Sequence, residues 1–182
     1  MIKLYGDSFS RAVIIKWYLE ELQLPYEFVL VELKKEQHLQ PSYVAINPFS
    51  KVPAIDDNGF ILWESGAILT YLASKYDTTV DTPEKIAIVN QWVIFANSTL
   101  SDGLFAPQFQ AKETPHLLGK LNDLLGKQPF VMGETFSAAD VAVGSLLGYV
   151  PMMIKDFDLS PYPQMVAYMQ RLKERPAFMG GA

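Results

Sequence analysis

The sequence contains no cysteine and only two histidines. Without cysteine, the chain has no disulfide bond, no thiolate metal site and no cysteine nucleophile of its own. The two histidines, His38 and His116, lie far apart in sequence, so we predict no metal site. Any thiol that takes part in chemistry here must belong to a substrate.

Long apolar segments and basic clusters are also missing. No apolar run reaches the roughly 18 residues needed to cross a membrane, and the start of the chain is too short and strand-like for a signal peptide. We therefore expect a cytoplasmic protein with no membrane partner. A net charge of −5 without a basic run predicts no nucleic-acid partner. With 182 residues, 49% of them hydrophobic, the chain can form one domain or two small ones.

The first half of the chain alternates strand and helix patterns. Residues 2–5 predict a strand that ends at Gly6, residues 11–24 a helix, and residues 26–33 a second strand. This order predicts a right-handed βαβ unit with parallel strands. A short helix near residues 41–45, a hairpin of strands 52–55 and 60–63, and a helix over residues 65–76 complete the order β-α-β-α-β-β-α.

The second half is helical throughout. Residues 77–82 are polar and lack periodicity, so we expect a linker between a domain of residues 1–76 and an all-helical domain of residues 83–182. Thr82-Pro83 and Thr114-Pro115 each predict a helix start, because proline fits the first helical position. A capping box at Ser137 and Asp140 predicts a helix to about residue 149, and residues 164–174 predict a last one.

Residues 46–65 combine three features suited to an anionic peptide ligand. The Val52-Pro53 bond is of the type that readily becomes cis, and Val52 could turn its backbone toward an extended ligand. Asp57-Asn58-Gly59 favours a tight hairpin turn. Glu64-Ser65 precedes a helix whose first amides attract an anion. Together they predict a site for a small peptide with a carboxylate.

Three motifs in order resemble the cytosolic glutathione transferases: residues 46–54, residues 62–72 and residues 136–140. The resemblance covers nearly the whole chain and is closest to the short type found in bacteria such as cyanobacteria. It implies an α/β plus all-α fold, with a thioredoxin-like glutathione-binding domain followed by a helical domain that forms most of the electrophile pocket. It also implies a homodimer, with glutathione as co-substrate and no other cofactor.

The resemblance assigns the γ-glutamyl end of glutathione to Glu64 and Ser65. Ser65 and its amide would take the α-carboxylate and Glu64 the α-ammonium, which suits a helix N-terminus. Val52, next to a cis Pro53, would present its backbone to the cysteinyl unit. The alternatives are that Ser65 is a simple N-cap and that Val52-Pro53 is a structural turn.

The glycyl carboxylate of glutathione requires local positive charge in an acidic protein. Lys51 is the first candidate because it adjoins the Val52-Pro53 turn, and His38 and Lys35 are the others. For each of the three, a solvated surface side chain is the alternative.

The resemblance places the group that activates the glutathione thiol between the first strand and the first helix. The spacing of serine-type classes falls on Asp7, which cannot donate a hydrogen bond when ionised. We therefore assign thiolate stabilisation to Ser10 and Ser8, with Arg11 adding positive charge. Tyr5 has the spacing of tyrosine-type classes and is the second candidate. The alternatives are a helix cap for the serines and a packed aromatic ring for Tyr5.

The predicted function is a transferase that conjugates glutathione to small hydrophobic electrophiles in detoxification, with peroxide reduction as a further reaction. The alternative is a non-catalytic binding or interaction module of the same fold, suggested by the irregular donor loop. Disulfide exchange through an enzyme cysteine is excluded. Five aromatic residues could line the electrophile pocket or belong to the core: Trp92, Phe95, Phe105, Phe109 and Tyr149.

Overall fold

The structure is a computed structural model that describes residues 1–155 and 157–178. Its sheet has four strands: β1 (Ile2–Gly6), β2 (Tyr26–Leu30), β3 (Ala54–Asp57) and β4 (Phe60–Trp63). Their order is β2-β1-β3-β4. β1 and β2 are parallel, whereas β3 is antiparallel to both of its neighbours. The parallel pair confirms the predicted βαβ unit.

Helices surround the sheet and, apart from an isolated bridge between Phe130 and Gly133, form the regular structure described after it. They are α1 (Ala12–Glu21), α2 (Pro41–Val44), α3 (Ser65–Tyr76), α4 (Pro83–Phe95), α5 (Ser101–Phe105), α6 (Pro107–Leu125), α7 (Ala138–Met153) and α8 (Pro163–Lys173). Two 3₁₀ turns, Leu33–Lys35 and Gln37–Leu39, precede α2, and a π-helical segment, Ala96–Leu100, joins α4 to α5. No helix in the described ranges is long and apolar enough to cross a membrane.

The two faces of the sheet carry different side chains. Leu4 points into the main core, together with Ile15 of α1 and Leu69 of α3. The adjacent residue Tyr5 lies against Tyr43 of α2, with the ring centroids 6.3 Å apart. This alternation follows from the two-residue period of a strand. It places the end of β1 between the core and α2.

Helix α7 connects the sheet region to the rest of the helical half. It packs against α1, α3, α4 and α8. Its N-terminus has the predicted capping box, in which Ser137 accepts a bond from the Ala139 N–H and Asp140 accepts one from the Ser137 N–H. Asp140 is fully buried and also accepts bonds from the Val131 N–H and the Tyr168 hydroxyl.

The helix start predicted at Thr114-Pro115 is wrong, because α6 continues through both residues. The Thr114 hydroxyl instead donates to the Gly103 carbonyl at 2.6 Å, which ties α6 to α5. Burial of one face of α6 outweighs the hydrogen bond that a proline removes from a helix. Likewise α7 passes Pro151 in its last turn, although we expected it to end near residue 149.

Candidate functional site

Three segments of the predicted site meet at one end of the sheet. Tyr5 of β1 lies opposite Ala54 of β3, and Ala54 lies opposite Trp63 of β4. The loop that follows β1, the Val52-Pro53 turn that precedes β3 and the Glu64-Ser65 helix start that follows β4 therefore leave the sheet side by side. Strand pairing alone brings together residues that are up to 60 positions apart in sequence.

The turn before β3 is fixed from inside the protein. Buried Asn47 donates through Nδ2 to the Lys51 carbonyl at 2.8 Å, and the Tyr43 hydroxyl donates to the same oxygen at 2.6 Å. The Val52-Pro53 bond is cis. Within residues 1–155 and 157–178, the backbone N–H and C=O of Val52 have no hydrogen-bond partner. Both groups are thus free to bind an extended peptide.

Glu64 and Ser65 form the start of α3. Glu64, not Ser65, is the N-cap, and it has a left-handed backbone with φ 71°. Such a conformation costs a non-glycine residue about 1–3 kcal/mol and is concentrated at functional sites. Ser65 is the first helical residue and is 5% exposed. The alternative role of Ser65 as an N-cap is therefore excluded by the geometry.

An open cavity of about 380 Å³ lies between the start of α3 and helix α4. Glu64 and Arg11 line it from the first half of the chain, whereas Asn90 and Asn97 line it from the second. A smaller cavity next to it is lined by Arg11, Ser65 and Tyr149. Both cavities therefore bring Arg11 close to the start of α3.

The loop between β1 and α1 is held by Asp7 and Ser10. Asp7 accepts bonds from the Phe9 and Leu33 N–H groups, which hold the pKa of its carboxyl below the usual range. The Ser10 hydroxyl donates to the Asp7 carbonyl at 2.7 Å and accepts from the Ala12 N–H. Ser8 is exposed, and its hydroxyl has no partner among the described residues. Of the two serines, Ser8 has the free donor.

Arg11 has a partner that the sequence reasoning missed. Its Nη1 donates to Asn97 Oδ1 at 3.3 Å, across 86 positions of sequence. Asn97 and Asn90 are seven residues apart, which places them on one face of a helix. A pair of asparagines at this spacing, with Val93 and Ile94 between them, is a signal that the sequence contained.

The remaining candidates are more scattered. Lys51 has an exposed side chain, and Lys35 pairs with Glu32 at 2.8 Å. Nδ1 of His38 is buried without a hydrogen-bond partner in the described chain. Tyr5 lines a separate open cavity of about 400 Å³, together with Tyr43 of α2. No group of three or more acidic or histidine side chains in the described ranges could hold a metal.

Of the five aromatic residues considered for the electrophile pocket, three pack on the core and one lines the site. Trp92 and Phe95 contact each other edge to face, with centroids 5.5 Å apart, and both pack on the core, as does Phe105. Phe109 is 47% exposed. Tyr149 lines the small cavity with Arg11 and Ser65, and burial raises the pKa of its phenol, which the charge of Arg11 partly offsets.

Known proteins share both halves of this arrangement. The family of glutathione S-transferase N-terminal domains matches residues 1–74, and the family of glutathione S-transferase C-terminal domains matches residues 90–178. The chain belongs to the glutathione S-transferase family. Glutathione S-transferase GstB of Escherichia coli (strain K12) is 31% identical over 97% of this chain and 95% of its own length. Glutathione S-transferase hmp2 of Hypomyces subiculosus is 49% identical, but the match spans 43% of this chain and 36% of that protein.

A solved structure extends the similarity to three dimensions. Glutathione transferase URE2P6 from Phanerochaete chrysosporium, in complex with oxidized glutathione, superimposes with a TM-score of 0.81 and 27% identity, over 97% of this chain and 92% of that one. These findings confirm the predicted fold class, with a thioredoxin-like N-terminal domain and a helical C-terminal domain. They also confirm that the chain is a glutathione transferase, and none favours the non-catalytic alternative. Its bacterial subtype stays a prediction.

Proposed function

We propose that this glutathione S-transferase conjugates glutathione to small hydrophobic electrophiles in the cytoplasm, as a detoxifying enzyme. The observation that carries the proposal is the meeting of three segments at one sheet end: the free Val52 backbone, the left-handed Glu64 and the loop with Ser8. We assign residues 1–76 to the glutathione-binding domain, 77–82 to the linker and 83–182 to the helical domain, whose residues 156 and 179–182 lie outside the described ranges.

The γ-glutamyl end of glutathione binds at the start of α3. Ser65 and the first amides of the helix take the α-carboxylate, since a helix N-terminus favours an anion. Glu64, which lines the 380 Å³ cavity, takes the α-ammonium. The left-handed backbone of Glu64 supports this role, because it is the kind of local strain that binding sites retain.

The cysteinyl and glycyl units continue along the Val52 turn. The free N–H and C=O of Val52 pair with the cysteinyl backbone as an added strand would, with Pro53 holding the turn. Lys51 supplies positive charge for the glycyl carboxylate. His38, which is half-buried, is the second candidate for this contact. Lys35 contributes less, since its ammonium already pairs with Glu32.

Ser8 is the leading donor to the glutathione thiolate. Its hydroxyl is exposed and free, whereas the Ser10 proton is engaged by the Asp7 carbonyl. Ser10 therefore shapes the loop that presents Ser8, and Arg11 adds positive charge. Lowering the thiol pKa by about two units corresponds to roughly 3 kcal/mol, which a charge-assisted hydrogen bond next to a cation can supply.

The thiolate then attacks the electrophile, forming a carbon–sulfur bond while the leaving group departs with its electron pair. With an organic peroxide it attacks the O–O bond instead, releasing the alcohol, and a second glutathione completes the reduction to the disulfide and water. Phe9, which is 83% exposed beside Ser8, provides apolar surface for such substrates. Tyr149 provides more from the helical domain.

A homodimer suits the apolar side chains that remain on the surface. Phe49 is 65% exposed, and Phe60 and Ile61 of the edge strand β4 are 49% and 43% exposed. Clusters of such side chains are typical of protein interfaces. Sedimentation velocity of the wild type and of Phe49→Ser tests this: a dimer that the substitution weakens supports the interface, whereas a wild-type monomer contradicts it.

Calorimetry and turnover test the proposed function directly. The wild type should bind glutathione with measurable heat and conjugate it to an aryl halide or an isothiocyanate. Ser65→Ala should weaken binding, while the control Thr70→Ala, which removes a hydroxyl from the same helix, should not. Absence of heat up to millimolar glutathione contradicts the glutathione site, and heat without turnover across the electrophile panel contradicts catalysis.

A further inference from the structure

Arg11 and Glu64 carry opposite charges and line the same cavity, yet Arg11 bonds to a neutral residue. Its Nη1 donates to Asn97 Oδ1 at 3.3 Å. The ion pairs formed by the described residues do not include one between Arg11 and Glu64. An amide oxygen orients a guanidinium without cancelling its charge. Both charges in the cavity therefore remain available to a ligand.

Asn97 is itself fixed in place. Its Nδ2 donates to the Val93 carbonyl at 2.9 Å. It lies in the π-helical segment, where Ser98 likewise bonds through its side chain to the carbonyl four residues back. Such segments occur frequently at functional sites. Asn97 therefore presents its Oδ1 to Arg11 from a rigid position.

Gly66 allows this close approach to the start of α3. A Cβ atom at Gly66 would lie 3.0 Å from Val93 Cγ1 and 3.4 Å from Asn97 Nδ2. The first turn of α3 and the π-helical segment are thus in direct contact. This contact sets Asn97, and the guanidinium that it holds, beside Ser65.

We infer that Asn97 is a positioning residue that holds Arg11 for the α-carboxylate of the γ-glutamyl group. The cavity then recognises a zwitterion: Glu64 takes its ammonium, while Arg11 and Ser65 take its carboxylate. This inference rests on the proposed function. It gives Arg11 a substrate-binding role and makes the second domain part of glutathione specificity.

The test compares Asn97→Leu with Ser98→Ala, a control in the same segment that also loses a side-chain bond to a carbonyl. Asn97→Leu should raise the KM for glutathione about tenfold, the effect of losing an orienting hydrogen bond to a charged group. The kcat and the pKa of the bound thiol should stay unchanged, because Arg11 keeps its positive charge in the open cavity and loses only its orientation. Ser98→Ala should match the wild type, and thermal unfolding checks that both variants fold.

A second ligand tests the contact with the α-carboxylate separately from the rest of the tripeptide. The tripeptide γ-aminobutyryl-cysteinyl-glycine lacks the α-carboxylate of the γ-glutamyl group, so Asn97→Leu should not weaken its binding further. Equal losses with both tripeptides overturn the inference, as does a lower kcat with a raised thiol pKa, which would place the action of Asn97 at the sulfur. A wild type that binds neither tripeptide contradicts the proposed function instead.

Discussion

Asn47 donates through Nδ2 to the carbonyl of Lys51 at 2.8 Å and accepts through Oδ1 from the Phe49 N–H at 3.0 Å. Its side chain is 2% exposed and thus closes the loop from within. The Lys51 carbonyl points inward because it bonds to Asn47. The backbone groups of the next residue, Val52, therefore remain at the site. The turn to which we assign the cysteinyl unit of glutathione therefore depends on Asn47, a buried residue outside the proposed binding set.

Asn47→Ala should lower the free energy of unfolding by about 2 kcal/mol, because it removes two hydrogen bonds, one to the Lys51 carbonyl and one from the Phe49 N–H. It should also raise the KM for glutathione, since Val52 loses its fixed position. Urea denaturation and steady-state kinetics measure the two effects. Ser42→Ala, at an exposed position of α2 whose hydroxyl has no partner among the described residues, is the control. A stable variant with an unchanged KM would contradict the role of Asn47.

Ser8→Ala and Ser10→Ala should have opposite signatures. Removing the free hydroxyl of Ser8 should lower kcat at least tenfold and raise the pKa of the bound thiol, with little change in Tm. Removing the Ser10 hydroxyl should mainly lower stability, by about 1 kcal/mol, because its bonds are to the backbone of Asp7 and Ala12. Thiolate absorbance against pH and thermal unfolding distinguish them. The reverse pattern would return the donor role to Ser10.

Asp57, the last residue of β3, connects this strand to helix α3. Its Oδ2 accepts bonds from Tyr71, Lys75 and Tyr76, at 2.7, 2.6 and 2.7 Å. Burial favours the neutral carboxyl, but these three donors outweigh it and hold the pKa of Asp57 far below its usual range. Asp57→Asn should therefore lower the free energy of unfolding by about 3 kcal/mol at pH 7.

The same carboxylate predicts a pH dependence. A depressed pKa stabilises the fold above the unfolded-state pKa of about 3.9, and the effect is lost as the pH falls below it. The cost of Asp57→Asn should thus be smaller at pH 3 than at pH 7. Asp56→Asn, at the preceding position of β3, serves as the control in denaturant titrations. A cost that does not change with pH would contradict the ionised state of Asp57.

Asp140 should show the opposite dependence. Burial raises the pKa of its carboxyl to about 6. The hydrogen bonds that the carboxyl accepts from Val131, Tyr168 and Ser137 lower the pKa and offset only part of this effect. Since this pKa lies above the unfolded value, the stabilising contribution is present below about pH 4 and is lost as the pH rises through 6. The stability advantage of the wild type over Asp140→Asn should therefore shrink by about 1 kcal/mol between pH 5 and 7.

Thr82→Ala provides the comparison for Asp140. It removes a helix cap, in which Thr82 accepts from the Lys85 N–H at 3.2 Å, and should cost about 1 kcal/mol at both pH values. If the difference in stability between the wild type and Asp140→Asn is also the same at both pH values, Asp140 does not titrate in this range.

Local chemistry explains which features the sequence predicted well. The capping box at Ser137 and Asp140 spans four residues, so its donors and acceptors meet without help from the rest of the fold. The turn at Asn58 and Gly59 is also local, and both residues have the positive φ expected of them. The cap predicted at Thr114 failed because its hydroxyl found a partner eleven residues away, in α5.

The sequence by itself determined the strand and helix order, the absence of thiol chemistry in the protein, and the local form of the Val52 and Glu64 motifs. Tertiary structure decided which groups act together. Packing of α4 on α3 brought Asn97 to Arg11, and loop closure engaged the Ser10 hydroxyl while leaving Ser8 free. Periodicity and turn chemistry report contacts within a few residues, whereas contacts between distant residues depend on how whole elements pack.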